Sequence, residues 1–216
     1  MLRLTPEAGK APLRILCLGC HADDIEIGCG GAVLKLAAEH KEAEFRWVVF
    51  SAQGVRASEA ASAAKQFVDP SRLKKVTLKE FRDGYMPFAG AEIKDVFEDL
   101  KREVSPDIVF THNRRDAHQD HRLIAELTWN TFRNHLVLEY EIPKYDGDIG
   151  RPNVFIPLSR TECDEKVRLI IDAFKSQSGK GWFEPETFKA LMRLRGMECN
   201  APSGYAEAFY GRKLVL

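Results

Sequence analysis

No charge of one sign dominates this chain. Lysine plus arginine and aspartate plus glutamate both number 32, so the formal net charge is zero. A nucleic-acid or anionic-membrane partner would draw on an excess of positive charge, and neither is indicated. Apolar runs are short, and none approaches the roughly 20 residues that a membrane-spanning helix needs. The opening Met1-Leu2-Arg3-Leu4-Thr5-Pro6 lacks the apolar core of a secretory leader. Cysteine is sparse: Cys17, Cys20, Cys29, Cys163 and Cys199 make an odd count without a matched pair of Cys-x-x-Cys repeats, which excludes a zinc knuckle. Cys17-x-x-Cys20 has redox spacing, but Cys17 alternates into a buried strand and no helix start follows it directly. The five read as reduced thiols of a cytoplasmic protein. A dinucleotide fingerprint is also missing. Gly28-Cys29-Gly30-Gly31 does not satisfy Gly-x-Gly-x-x-Gly, and carboxylates occupy the turn where a pyrophosphate would sit. There are no internal repeats, no low-complexity runs and no linker, so residues 1–216 are expected to form a single domain.

What is present is an alternation of strand-like and helix-like segments. Residues 13–19 read as a buried strand, and 32–40 as a helix preceded by glycines that suit close backbone approach better than helix interior. Strands follow at 45–50, 75–78 and 108–110. Helices follow at 58–68, 92–104 and 118–132, ended by Asp69-Pro70 and Ser105-Pro106 in the first two cases. The order predicts a three-layer α/β/α, Rossmann-like domain with a mostly parallel sheet. Beyond about residue 135 the pattern loosens. Strands at 137–142, 153–156 and 208–216 and helices at 165–174 and 185–194 are expected there.

Two strand ends carry the chemistry. His21-Ala22-Asp23-Asp24 follows the first strand. Thr111-His112, Asp116 and His118-Gln119-Asp120-His121 follow the fourth. In a doubly wound sheet the right-handed crossover brings both loops to one edge. Imidazole and carboxylate together suit zinc, and three such ligands with an open position suit hydrolysis. His118 and His121 share a face on a helical first turn, and His21 and Asp24 have the same spacing. With His21, Asp24 and His121 on the ion, Asp23 is left as general base and His118 as a protonated donor to the oxyanion. Spacing alone does not say which carboxylate binds the ion. Asp120 points elsewhere and is expected to orient a histidine, and His112 reads as outer support. His40 and His135 read as packed or solvated, Cys29 as a small packing residue, and Trp182, Phe183, Tyr205, Phe209 and Tyr210 as core or rim.

These residues resemble the PIG-L or LmbE-like metal-dependent deacetylases. That family has a strand, His-Pro-Asp-Asp, a glycine-rich helix start, and later Thr-His, Asp and His-x-Asp-His. The resemblance implies that His21, Asp24 and His121 bind zinc, that Asp23 is the base, and that His118 balances the charge of the intermediate. It extends weakly to Arg56-Ala57-Ser58-Glu59, where an arginine can contact substrate, and to Phe81-Arg82-Asp83-Gly84. It fades beyond about residue 135. Ala22 departs from the family proline, which touches the rigidity of the loop and not the ligands.

The expected activity is therefore removal of an acetyl or other N-acyl group from an amino sugar or glycoconjugate, with residues 136–216 shaping the substrate site. The sugar part of this reading comes from the resemblance alone. Fe2+, Co2+ or Mn2+ suit the same donors as Zn2+. An amidase or esterase acting on a non-sugar substrate, or a metal- or sugar-binding module without turnover, are the rival readings. Nothing in the sequence speaks against a homo-oligomer.

Overall fold

The computed structural model describes residues 12–214. The leader-free start read at Met1–Pro6 and the last two residues of the strand expected at 208–216 lie outside the described residues.

Strands β1 (Arg14–His21), β2 (Glu44–Ser51), β3 (Leu73–Leu78), β4 (Ile108–His112) and β5 (Leu136–Tyr140) run parallel to one another. β6 (Val154–Leu158) and β7 (Tyr205–Gly211) complete a seven-stranded sheet in the order β3-β2-β1-β4-β5-β7-β6. β7 is antiparallel to both β5 and β6. The mostly parallel sheet expected from the sequence is present. β1 pairs with β2 on one side and β4 on the other, so the winding reverses between β1 and β4. This is the crevice where α/β sheets bind ligands.

Period-two alternation along the strands divides the core into two layers. Ile15, Cys17, Phe45, Trp47 and Val49 pack on one face under α1 (Asp24–Glu39), α2 (Val55–Phe67), α5 (Arg160–Ala173) and α6 (Pro185–Glu198). Leu16, Leu18, Val48, Phe50 and Val109 pack on the other under α3 (Gly90–Glu103) and α4 (Gln119–Thr131). No helix among the described residues is long and apolar enough to cross a membrane.

One element differs from its expected form in a way that matters to the site. α1 begins at Asp24, so Gly28, Gly30 and Gly31 lie inside the helix and not before it. Glycine is costly there, and the surroundings give the reason. A Cβ on Gly28 would come within 2.2 Å of the Tyr140 ring, one on Gly30 within 2.6 Å of Phe67, and one on Gly31 within 2.5 Å of Leu158. Close approach was the correct expectation and helix exclusion was not. Ala22, at the family's proline position, is 1% exposed and packs in the core beneath α1, so burial restrains the turn.

The C-terminal third belongs to the same sheet and layers. α5 starts at Arg160, five residues before the expected start, on a capping box. Ser159 Oγ accepts the Glu162 N–H at 3.1 Å, and Glu162 Oε2 accepts the Ser159 N–H at 2.6 Å. That Ser-x-x-Glu signal was readable. β7 begins at Tyr205 and ends at Gly211 because its partners are β5 and β6.

Candidate metal centre

The carboxyl end of β1 delivers His21, and the helix start after it delivers Asp23 and Asp24. Asp24 opens α1, where a carboxylate meets the positive end of the helix dipole. Asp23 occupies the N-cap position yet makes no capping hydrogen bond. From the end of β4, His118 takes the N-cap of α4, its Nδ1 accepting the Asp120 N–H at 3.3 Å, and His121 follows in the first turn. The helix was expected to include His118. It begins one residue later, and His118 has extended backbone angles. The His118 and His121 rings still stack with centroids 4.6 Å apart.

Three donor atoms from the two loops form a triangle. His21 Nδ1 is 3.1 Å from His121 Nε2 and 3.4 Å from Asp24 Oδ2, and His121 Nε2 is 3.6 Å from Asp24 Oδ2. Ligands at tetrahedral angles and bond lengths of 2.0–2.1 Å lie about 3.4 Å apart. The spacing and the mixed imidazole–carboxylate chemistry therefore fit a zinc-type ion. The far nitrogen of His121 is already directed: Nδ1 faces Asp116 Oδ2 at 3.0 Å, which leaves Nε2 for an ion. Asp116 Oδ1 also accepts the His118 N–H at 2.8 Å, so this carboxylate ties together both histidines of α4's start.

His112 is fully buried behind this triangle, stacked on His121 with centroids 3.9 Å apart. Its Nε2 is 3.2 Å from Asp24 Oδ2, close enough to join Asp24 and His121 as an alternative set. That nitrogen, however, accepts the Cys20 N–H at 3.0 Å, which fits a supporting wall.

Asp120 lies beside His21, as the histidine-orienting role expected of it requires, and has a second task. Its two oxygens accept the N–H groups of Gly84 at 2.6 Å and Met86 at 3.1 Å, pinning the loop after β3. Its distance to His21 Nε2 is 3.6 Å. The pinned loop turns at Gly84, where φ is +76°, and brings Asp83 Oδ1 to 2.9 Å from His21 Nε2.

Asp23 is 5% exposed and paired with Arg56, whose Nη2 lies 3.0 Å from Oδ1. Its other oxygen, Oδ2, is buried without a protein partner. Arg56 is itself held: Nη1 is 3.3 Å from Glu59 Oε2, and the guanidinium lies 5.4 Å from the centroid of the Phe174 ring. Ser176 donates to Glu59 through N–H at 2.8 Å and through Oγ at 2.6 Å. The arginine expected to contact substrate thus faces the buried Asp23 and Glu59.

Burial sets the electrostatics. It raises the Asp23 pKa, with Arg56 opposing and Asp24 adding to the rise. For Asp24 burial acts upward too, but His121 and His112 overcome it and hold the carboxyl well below its usual range. Burial works against a charge on His21, and Cys20 with the carboxylates of Asp120, Asp24 and Asp83 outweighs it, so this pKa is raised well above 6.5. A site that holds a proton this firmly is one that favours a cation. At His118, burial and the neighbouring His121 and His21 lower the pKa. That direction opposes the protonated donor expected at His118. With Nδ1 accepting from the Asp120 N–H, a proton on this ring sits on Nε2, which makes it a donor.

Glu59, Asp83 and Lys144 were missed as site residues. Glu59 and Asp83 lay within tetrapeptides that carried the resemblance. Lys144 had no signal, and it reaches Asp116 Oδ2 at 3.1 Å and Asp148 Oδ2 at 2.6 Å from a loop after β5. A cleft of about 700 Å³ opens over the triangle, with Phe81, Tyr145, Gln177, Lys180 and Trp182 on its walls. Another, of about 660 Å³ near the ends of α3 and α4, has no ligand cluster among its described lining residues.

The sequence model of the PIG-L family, described as GlcNAc-PI de-N-acetylase, matches residues 16–132. Among solved structures, N,N'-diacetylchitobiose deacetylase from Pyrococcus horikoshii superposes with a TM-score of 0.71 at 20% identity, covering 92% of this chain and 83% of that one. GalB, the 4-carboxy-2-hydroxymuconate hydratase from Pseudomonas putida KT2440, gives 0.73 at 19% identity over 94% and 98%. Teicoplanin deacetylase Orf2 in its zinc-inhibited form gives 0.69 at 15% identity over 92% and 97%. At these identities the likeness is one of fold, and the fold carries proteins named for deacetylation and for hydration alike.

Proposed function

This chain belongs to the PIG-L family, whose matched segment contains both ligand-bearing loops, and on that premise we propose that it is a metal-dependent hydrolase removing an N-acetyl group from an amino sugar or glycoconjugate. His21, Asp24 and His121 hold the ion, zinc or another divalent metal. The single observation that carries the reading is the donor triangle with edges of 3.1–3.6 Å. When bound, the ion supplies Lewis acidity toward the amide carbonyl.

The chain's own residues do the rest. Asp23 Oδ2, buried and without a protein partner, takes a proton from the attacking water. Arg56 fixes Oδ1, so only one oxygen is offered. Burial raises the proton affinity of Asp23 toward the working pH, which favours a base that must first accept and then return a proton. His118 donates from Nε2 to the oxygen that becomes negative as the amide carbon turns tetrahedral. Asp23 returns its proton to the leaving amine nitrogen, releasing acetate and the free amine. Asp116 keeps His121 in one tautomer and orientation.

The cleft volume of about 700 Å³ lies within the roughly 300–1,000 Å³ of small-molecule sites. Gln177, Lys180 and Trp182 line it from the C-terminal third, which supports the reading of residues 136–216 as the part that shapes substrate choice. All five cysteines are free, in keeping with a cytoplasmic location.

The test is acetate release from a panel of N-acetylated sugars with and without chelator. The proposal expects release that chelation abolishes and zinc restores, and His121→Ala protein that no longer retains the ion. Turnover that persists in metal-free protein contradicts it. Zinc binding with no acetate from any substrate favours the non-catalytic module.

A further inference from the structure

Inside α1, two adjacent N–H groups donate to a side chain from another element. Gly31 N is 2.8 Å from Glu207 Oε1 and Ala32 N is 2.6 Å from Glu207 Oε2. In a regular helix these donors serve the carbonyls of Ile27 and Gly28. The Ile27 carbonyl meanwhile accepts from Lys166 Nζ at 2.6 Å, and Lys166 Nζ lies 2.6 Å from Glu207 Oε1. The ion pair thus touches both ends of one helical step, Ile27 C=O and Gly31 N–H, just past the turn that begins at Asp24. Lys166 comes from α5 and Glu207 from β7, and their side chains are 3% and 4% exposed. Gly31 admits the carboxylate, since a Cβ there would stand 3.0 Å from Glu207 Oε1.

Stability is a poor reason for this arrangement. Desolvating two charges offsets most of their attraction, and apolar residues in their place are often neutral or stabilising. What charge-assisted bonds in a low-dielectric interior do supply is direction and stiffness. Here three of them grip the helix whose first residue is Asp24, and a fourth joins Lys166 to Glu207. Both side chains lie outside the family-matched segment 16–132, in the third of the chain expected to shape the substrate site.

We propose that Lys166 and Glu207 are positioning residues for the metal centre: the pair inserted at Ile27 and Gly31 sets where the first turn of α1 stands, and with it Asp23 and Asp24 relative to His21 and His121. This rests on the hydrolase reading for its catalytic consequence, but its effect on metal binding is separate from turnover.

The experiment compares wild type with the double variant Lys166→Met/Glu207→Leu, which removes both charges together. Three quantities are read: the Tm of metal-free protein, the affinity for zinc alone by chelator competition, and kcat and KM for acetate release. The expected result is an undiminished Tm, zinc affinity lower by about 10-fold or more, and kcat lower by about 100-fold with KM little changed. Glu207→Gln, which keeps the size and one acceptor oxygen, is measured beside it and is expected to move both values in the same direction. Wild-type zinc affinity and kcat in the folded double variant overturn the proposal. If the double variant does not fold, the same result in Glu207→Gln overturns it. Wild-type protein that binds zinc but releases no acetate defeats the hydrolase reading while the affinity comparison still decides the role of the pair. Wild-type protein that does not bind zinc defeats both.

Discussion

His21 shows how one side chain links the fold to the chemistry. In metal-free protein its pKa is raised well above the usual histidine value, Cys20 and the carboxylates of Asp120, Asp24 and Asp83 outweighing burial, so a proton on this ring is held more firmly than on a free imidazole. A pKa raised above the unfolded value adds stability that is fully present below about pH 6.5 and is lost as pH rises through the folded value. Zinc binding has the opposite slope, because the ion must displace that proton. Affinity is therefore expected to rise with pH through the neutral range, with about one proton released per ion. Calorimetric titration of zinc in buffers of different ionisation enthalpy measures it, and an apparent enthalpy independent of buffer counts against this picture of His21. The roles of Arg56 and Asp120 belong to this scale as well. The resemblance placed Arg56 near the site, and the spacing of the second cluster placed Asp120 there. What each one touches, Asp23 with Glu59 for the first and the Gly84–Met86 backbone for the second, depends on loops from three other elements and could not be read from local pattern.

Helix α1 is the element on which most of the site depends, and its glycines separate two kinds of close contact. Gly28→Ala is expected to destabilise the protein by about 1–3 kcal/mol, because the added methyl meets the buried Tyr140 ring, whose hydroxyl is fixed on the Leu18 carbonyl at 2.6 Å. Gly90→Ala at the start of α3 meets nothing within 4 Å and is expected to be neutral or to stabilise by about 0.4–1 kcal/mol. Chemical denaturation of the two variants checks the contrast, and equal effects would show that the close packing of α1 is not what its glycines serve. The strand–helix alternation of the first two thirds was legible because parallel strands buried on both faces give plain apolar runs. The helix start was misread by eight residues because the partners that make glycine necessary come from Phe67, Tyr140, Leu158 and Glu207, all far away in sequence.

At the scale of the whole molecule, the proposed ligands lie within the first 132 residues, and the remainder packs against the elements that carry them. β7 enters the sheet beside β5 and carries Glu207 to α1. Arg195 of α6 pairs with Glu141 at 2.8 Å and bonds the Gly150 carbonyl at 3.1 Å, bracing the loop from which Lys144 reaches Asp116. The two loops that carry histidine and aspartate at strand ends were readable from residue types, and both line one cleft. The bracing was not, because buried ion pairs between distant elements leave no periodic trace. A sheet and two apolar layers this complete should survive loss of the ion. Chelated protein is expected to keep its far-UV circular dichroism, and saturating zinc should raise its Tm, by the equivalent of about 4 kcal/mol at 1,000 times Kd. Unfolding on chelation would make the metal structural. The most direct test of the account lies in Asp23→Asn, assayed for bound zinc and for acetate release together. The account predicts about one zinc per chain, as in wild type, with turnover lower by about 100-fold or more. Wild-type turnover in the zinc-loaded variant would contradict it.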